Sequence, residues 1–264
     1  MPFFPQLSTG AASQYPLRRQ QAYRSAVNQM RDGSQIQALD PASATVELEL
    51  ELHGLTEEEI DELEGFYAEQ EGRLRAFGFL DPAFNLLKWS ENFTDTAWVR
   101  GATLAVTGGI ADPWGTQRAS AIANGAAVPQ TVLQTIDAPG QYRYCFSVWM
   151  RSETVQSVTL IAQSGAASMS QAVPAGPNWQ RVWMSVSLPS GESSITFGFD
   201  VPAGATVQAV GAQVDPQPAP AGYQRSTSRS GVYARARFLD DTFTRITRGP
   251  NDHSTTIRIL TSAA

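Results

Sequence analysis

Residues 44–52, ATVELELEL, alternate strictly. Val46, Leu48, Leu50 and Leu52 fall on one side, and Glu47, Glu49 and Glu51 on the other. Period two with one charged face predicts a strand with one side on a core and the other in water or against a charged partner. A one-residue slip would bury three glutamates, so the register is well specified. The pattern then switches to helical spacing: Ile60, Leu63, Phe66 and Tyr67 form one apolar stripe. Thr56 and Glu59 have the spacing of a capping box, and Leu55 and Ile60 that of a hydrophobic staple. Glu57, Glu58 and Glu59 put negative charge on the positive end of the helix dipole. Gly72 is the natural stop. The prediction is an amphipathic helix over about 57–71, lying across the strand's sheet, then a strand from Leu74 to Leu80.

From residue 85 onward the texture changes to short alternating runs separated by Gly, Pro, Asn and Ser. They include VPQTVLQTI (128–136), YRYCFSVWMR (142–151), SVTLIA (157–162), WQRVWMSVSLP (179–189), SITFGFDV (194–201) and ATVQAVGAQV (205–214). Strands at this spacing predict a two-sheet sandwich, with Trp149 and Trp183 in its core. Asp215 to Pro220, DPQPAP, has the composition of a stiff linker. Three more strand-like runs follow it: Val232–Phe238, Phe243–Thr247 and Thr255–Thr261. Residues 1–40 are polar and broken by Pro2, Pro5, Pro16, Gly10 and Gly33. They predict loops, one or two short strands, and an extended arm suited to packing on a neighbouring subunit.

The helix with its flanks, LTEEEIDELEGFYAEQEGRLRAFGFLDP, resembles the amino-terminal domain of distal tail proteins at the tail tips of long-tailed phages, prophages and gene transfer agents. FFPQLSTGAASQYP and GVYARARFLDDTFTRITRGPNDHSTTIRIL resemble the same group, so roughly half of the chain is covered. NLLKWSENFTDTAWVRGATLAVTGG resembles the opening of a β-sandwich module of phage tail and fibre proteins, similar to a carbohydrate-binding jelly roll. These resemblances imply a mainly β fold in two domains. One is a discontinuous tail-tip domain, 1–84 plus 219–264, and the other an inserted jelly-roll-like sandwich, 85–218. They also imply a closed ring, a hexamer, joining the tail tube to the baseplate hub or fibres. The expected partners are further copies of the chain, the tail tube protein and hub or fibre proteins, with host surface glycan as a possible ligand of the sandwich.

The net charge of −6 hides an asymmetry. Residues 41–71 carry ten Glu and one Asp without Lys or Arg, whereas 219–264 carry seven Arg against three Asp without Lys. The bland meaning is two solvated faces; the sharper one is that they meet, within a subunit or between neighbours. Arg suits the second, because its planar fork pairs with carboxylates bidentately. Glu47, Glu49, Glu51 and Glu58 against Arg235, Arg237 and Arg245 are the candidate inter-subunit charge surfaces. An acidic chain with one short basic segment and no recognised motif points away from nucleic acid. A single Cys145 excludes an internal disulfide. No run is apolar enough to cross a bilayer, and MPFFPQLSTG lacks the form of a signal peptide. Synthesis in the host cytoplasm and residence at the virion tail tip are therefore expected.

Catalytic chemistry was sought in four places. His53 and His253 lack a second ligand at metal spacing, and Cys145 sits mid-strand as an inert thiol. Asp240–Asp241 suits a turn better than a glycosidase pair, and no phosphate loop or nucleophile elbow is present. The expectation is no enzyme and no metal or other cofactor, with a glycan hydrolase or its accessory module as an alternative. All six Trp lie between 89 and 183. Flat rings stack on the apolar faces of sugars, so Trp114 in the turn DPWG and Trp179 after GPN are candidate glycan contacts. A carbohydrate-binding adhesin is the other alternative.

Overall fold

The computed structural model describes residues 1–39 and 44–262, and these form 18 strands and one α-helix. The protein is mainly β. In chain order, β1 (Leu17–Ala22), β2 (Ser25–Gln29), β3 (Gln35–Leu39), β4 (Thr45–Leu55), α1 (Glu57–Glu69) and β5 (Phe77–Leu80) come first. β6 (Val99–Arg100), β7 (Leu104–Ile110), β8 (Ala119–Asn124), β9 (Gln130–Ile136) and β10 (Arg143–Arg151) follow. Next are β11 (Gln156–Ser164), β12 (Ala167–Ala175), β13 (Gln180–Ser187), β14 (Ile195–Val201) and β15 (Thr206–Asp215). The last three are β16 (Val232–Phe238), β17 (Ile246–Gly249) and β18 (Asp252–Ser262). No described helix is long and apolar enough to cross a membrane.

Two compact units result. The first contains residues 1–8, 13–79 and 233–264, and the second residues 9–12 and 80–232. The sheet of the first unit runs β1-β4-β18-β16-β5, with β17 added to β18. On β4 the alternation does what its residues require. Val46, Leu48, Leu50 and Leu52 are fully buried, and the glutamates between them face outward, half-buried. The buried face meets Ile60, Leu63 and Phe66 of α1. Phe4, Phe77, Phe79 and Phe238 complete that core, and Phe77 lies 4.7 Å from Phe238 and 5.3 Å from Phe66, centroid to centroid.

Both halves of the capping box form: the Glu59 amide donates to Thr56 Oγ1 at 3.2 Å, and the Thr56 amide to Glu59 Oε2 at 2.9 Å. Such a cap is worth about 1 kcal/mol. Leu55 and Ile60 are both buried, as a staple needs. The helix ends at Glu69, two residues short of the predicted limit, because Glu71 and Gly72 turn left-handed at φ 53° and 61°. That turn also removes Leu74 from the predicted strand. Leu74 is 64% exposed, and pairing starts only at Phe77. β2 and β3 pair as a ribbon of their own, closed by the Met30 amide on Ser34 O at 2.8 Å.

The second unit is a β-sandwich of two five-stranded sheets, β13-β10-β15-β8-β7 and β12-β11-β14-β9-β6. β12, ASMSQAVPA, escaped the sequence reading because its residues are small or polar and mostly exposed, as befits an edge strand. Tyr144, Phe146, Val148 and Met150 of β10 and Val182, Met184 and Val186 of β13 point into the core. Trp149 and Trp183 take the opposite parity, so neither is a core residue; Trp183 is 46% exposed. The Trp that does fill the interior is Trp98, whose Nε1 donates to Trp89 O at 3.1 Å.

The limits between units fall at 79/80 and 232/233, against the expected 84/85 and 218/219. The physical reason is hydrogen bonding: the Asp81 amide donates to Gly231 O and the Gly231 amide to Asn85 O, each at 2.8 Å. Asn85 is fully buried and donates to Ala212 O (2.8 Å) and Gln224 O (3.3 Å), while its Oδ1 accepts from Leu87 (3.0 Å) and Val214 (3.1 Å). DPQPAP is not a free linker either. Asp215 is buried, and its carboxylate accepts from the Ala221 amide at 3.1 Å and from Gln213 Nε2 at 2.8 Å.

Candidate functional site

The second unit gathers its chemistry around Glu91. This side chain is 6% exposed and lies against two guanidiniums. Arg118 Nη1 is 3.2 Å from Oε1, and Arg225 Nε is 2.8 Å from Oε2. The Tyr223 hydroxyl donates to Oε1 at 3.0 Å and shares a second bond with Ser90 Oγ. Burial, with the Glu91 charge beside it, pushes the Tyr223 phenol well above its ordinary value. Behind Arg118, Asp112 organises the turn DPWG. Its Oδ1 accepts from the Trp114 and Thr116 amides at 2.9 Å each, and its Oδ2 from the Thr116 hydroxyl and the Arg118 amide. Burial alone would raise the Asp112 carboxyl, but these bonds outweigh it and hold it below its ordinary value.

Trp114 is 40% exposed. Tyr223 stacks on it at 5.0 Å and 13°, Trp149 meets it edge-on at 5.8 Å, and the Arg118 guanidinium sits 5.8 Å from its centroid. Gly211, at φ 67°, makes this packing possible: a Cβ there would lie 3.1 Å from Tyr223 and 3.2 Å from Trp114 and Trp149. One face of Trp114 is thus already covered by the chain itself. Trp179 is half-buried, with the Arg151 guanidinium 4.8 Å from its ring centroid and its Nε1 buried without a protein partner. It is not brought together with the Glu91 cluster.

A cavity of about 410 Å³ opens beside this cluster. Trp89, Glu91, Arg118 and Arg225 line it, with Ser226 and the pair Gly108–Gly109. Trp89 stands at φ 52°, which is unusual for a bulky side chain. Its amide donates to Thr227 O (2.9 Å), and its carbonyl accepts from Asn92 (3.0 Å) and Trp98 Nε1. Sequence reading placed Trp89 and Glu91 in no site. The signals available were a Trp followed two residues later by a Glu, and Arg118 just past a turn; both are common.

The other reactive groups are committed elsewhere. Cys145 is buried, and burial followed by the Asp215 charge pushes its thiol up to about 12. Among the described residues, no group of three or more His, Cys, Asp or Glu is placed to hold a metal ion.

In the first unit the charged surfaces meet within the chain. Arg18 of β1 reaches Glu49 (3.4 Å) and Glu51 (3.9 Å), and Arg258 of β18 reaches Glu47 (3.8 Å) and Asp240. Arg245 is bonded to Asp61 (2.8 Å) and Glu57, with Glu64 at 3.7 Å. Arg237 donates to the Leu74 carbonyl. Glu47, Glu49, Glu51, Arg237 and Arg245 therefore have partners in their own subunit. Glu58 and Arg235 are exposed and make no ion pair among the described residues. Asp241 Oδ1 accepts the Arg73 amide at 3.2 Å. The exposed His53 exchanges two bonds, each 2.8 Å, between its backbone and the Gln14 side-chain amide. His253 is buried, with Nε2 2.7 Å from Glu57 Oε2 and Nδ1 3.0 Å from Thr247 Oγ1.

These contacts carry a pH signature. The Arg245 hydrogen bond first, then that of His253, hold the Glu57 carboxyl below its ordinary value. A depressed carboxyl favours the folded state above its unfolded value, and that contribution fades as pH falls through the folded one. Urea midpoints of the wild type and Glu57→Gln should therefore differ at pH 7 and converge towards pH 3. A difference that stays constant over that range would exclude the assignment.

No protein-family model matches the chain, and no curated protein matches it. Among solved structures, it is similar to the enzymatically active domain of bacteriophage CBA120 tailspike protein 4, at 16% identity and TM-score 0.41. That match covers 52% of this chain and 22% of the tailspike chain, so the chain spans under a quarter of that relative's length. The CBM22-1 xylan-binding domain of Paenibacillus barcinonensis Xyn10C is similar at 10% identity and TM-score 0.42, over 54% of this chain and 99% of that one. TmCBM61, solved with beta-1,4-galactotriose, is similar at 15% identity and TM-score 0.37, over 49% and 97%.

Proposed function

We propose that this chain is a structural component of a phage tail tip. Its first unit assembles with further copies into a ring between the tail tube and the adsorption apparatus. Its sandwich contacts host glycan or a neighbouring tail protein, and neither unit is catalytic. The observation that carries the assembly role is the β2–β3 ribbon. Every described side chain in it is exposed. Val27 and Ile36 are 54% and 51% exposed, and the register puts them on opposite faces of the ribbon. A two-stranded ribbon is at best marginal in water alone, and a ribbon exposed on both faces supports reading it as an arm that another chain covers. Glu58 and Arg235 remain the charges available to such a contact. The intramolecular pairs of Arg18, Arg245 and Arg258 shift the weight of that contact from charge to the ribbon.

The adhesin reading applies to the sandwich, and the cavity beside Trp89 favours it. Imaging of native particles carrying a tag on this chain tests the whole. The tag should appear as a ring at the distal end of the tube. A tag found only on receptor fibres would end the ring proposal.

A further inference from the structure

We infer that the cavity beside Trp89 binds a saccharide bearing a carboxylate, such as a uronic or sialic acid unit. The inference rests on reading the sandwich as a glycan contact, and it names the ligand class of that contact. A volume of about 410 Å³ lies in the range of small-ligand pockets. Two guanidiniums and one carboxylate line it, so two positive charges against one negative leave a net charge of one. Asp112, behind Arg118, offsets that charge, so the free guanidinium donors at the wall, and not a surplus of charge, carry the recognition. The Asp112 carboxylate is fully buried, is committed to the turn amides, and lies 3.6 Å from Arg118 Nε.

The geometry leaves donors for a ligand. Glu91 engages Arg225 through Nε and Arg118 through Nη1. Among the described residues, Arg118 Nη2 and both terminal nitrogens of Arg225 have no other partner. Glu91 thus acts as a positioning residue that holds two forks at the cavity wall. Such forks pair with planar, two-oxygen anions. A cluster without surplus positive charge suits one carboxylate better than a phosphate monoester, which carries about −1.5 to −2.

The remaining walls suit the sugar ring. Trp89 brings an aromatic residue to the lining, and the Asn92 side-chain amide nitrogen is left for a hydroxyl. Gly108 and Gly109 carry no side chains, and a Cβ at either would meet nothing within 4 Å, so the rim beside them is open. Trp89 is also held in a rare backbone conformation by three hydrogen bonds. Backbone strain of that kind concentrates at ligand-holding positions.

Calorimetric titration of the full chain tests this. The probes are oligogalacturonate, a sialyl-oligosaccharide, the carboxyl-reduced form of each, and inorganic phosphate. At least one acidic oligosaccharide should bind. Its reduced form, and the Arg225→Gln protein shown to be folded by circular dichroism, should bind at least about tenfold more weakly. Reduced and acidic forms binding equally would overturn the carboxylate assignment and leave the glycan reading standing. Phosphate binding as tightly as the acidic sugar would also overturn it. Binding to no saccharide would overturn both.

Discussion

Replacing Asn85 by Ala should destabilise the sandwich by about 3–5 kcal/mol, near the upper end for a single substitution. The side chain is fully buried and holds three stretches of chain that are distant in sequence. It donates to the carbonyls of Ala212 and Gln224 and accepts from the amides of Leu87 and Val214. Truncation removes all four bonds at once. It leaves the Leu87 and Val214 amides, both in buried residues, without that acceptor. Each orphaned buried group costs about 1–3 kcal/mol, which exceeds the net value of the bond it replaces. Asn85→Asp separates the two halves of the site. It keeps both acceptor bonds but turns the donating end towards two carbonyls as an oxygen. It should therefore also destabilise, although its shape is conserved. Denaturant unfolding followed by tryptophan fluorescence reports on this unit, since all six Trp lie within it. A loss under about 1 kcal/mol for Asn85→Ala would mean that water replaces the lost bonds freely.

Phe77→Ala should cost the first unit about 3–5 kcal/mol. The ring is completely buried among Phe4, Phe66 and Phe238, with centroids 6.2, 5.3 and 4.7 Å away. Alanine leaves a cavity that the three surrounding rings only partly fill, and it also removes aromatic contacts worth about 0.5–1.5 kcal/mol per pair. Phe77→Leu keeps most of the volume but also loses the aromatic pairs, so it should cost about 1–2.5 kcal/mol, clearly less than Ala. Hydrogen exchange in β4 and β18 should accelerate in the Ala protein and less so in the Leu protein. Equal effects of the two substitutions would show that packing volume does not control this core.

What was legible in the sequence was local. The alternation of Val46 to Leu52, the Thr56–Glu59 box and the Leu55–Ile60 staple each appear in the structure as their residues predict. These features depend on neighbours one to five positions away. The misplacements depend on segments far off in the chain. Cys145 and Ser147 have the outward parity of β10 yet are fully buried, because residues 221–224 bond to Arg181, Gln213 and Asp215 on that same face. No pattern within β10 announces such a cover. Trp149 and Trp183 are expected inside because they sit within alternating strands, whereas the parity of those strands puts them on the other side. The cavity beside Trp89 was invisible for the same reason. Its lining comes from residues 89–94, 108–120 and 225–227, which only the fold brings together.

The position of β18 sets an order of events during synthesis. β18 lies between β4 and β16, and its pairing joins residues roughly 200 positions apart, as Ile257 opposite Leu50 shows. When β4 and α1 leave the ribosome, the strand that will cover β4's open flank has not been made. The entire sandwich is translated in between. The nascent chain must therefore carry an unpaired edge of the leucine-rich β4 throughout the translation of the sandwich, a state prone to aggregate. The first unit is thus begun before the sandwich and completed after it, and helper proteins that shield such edges would act in that interval.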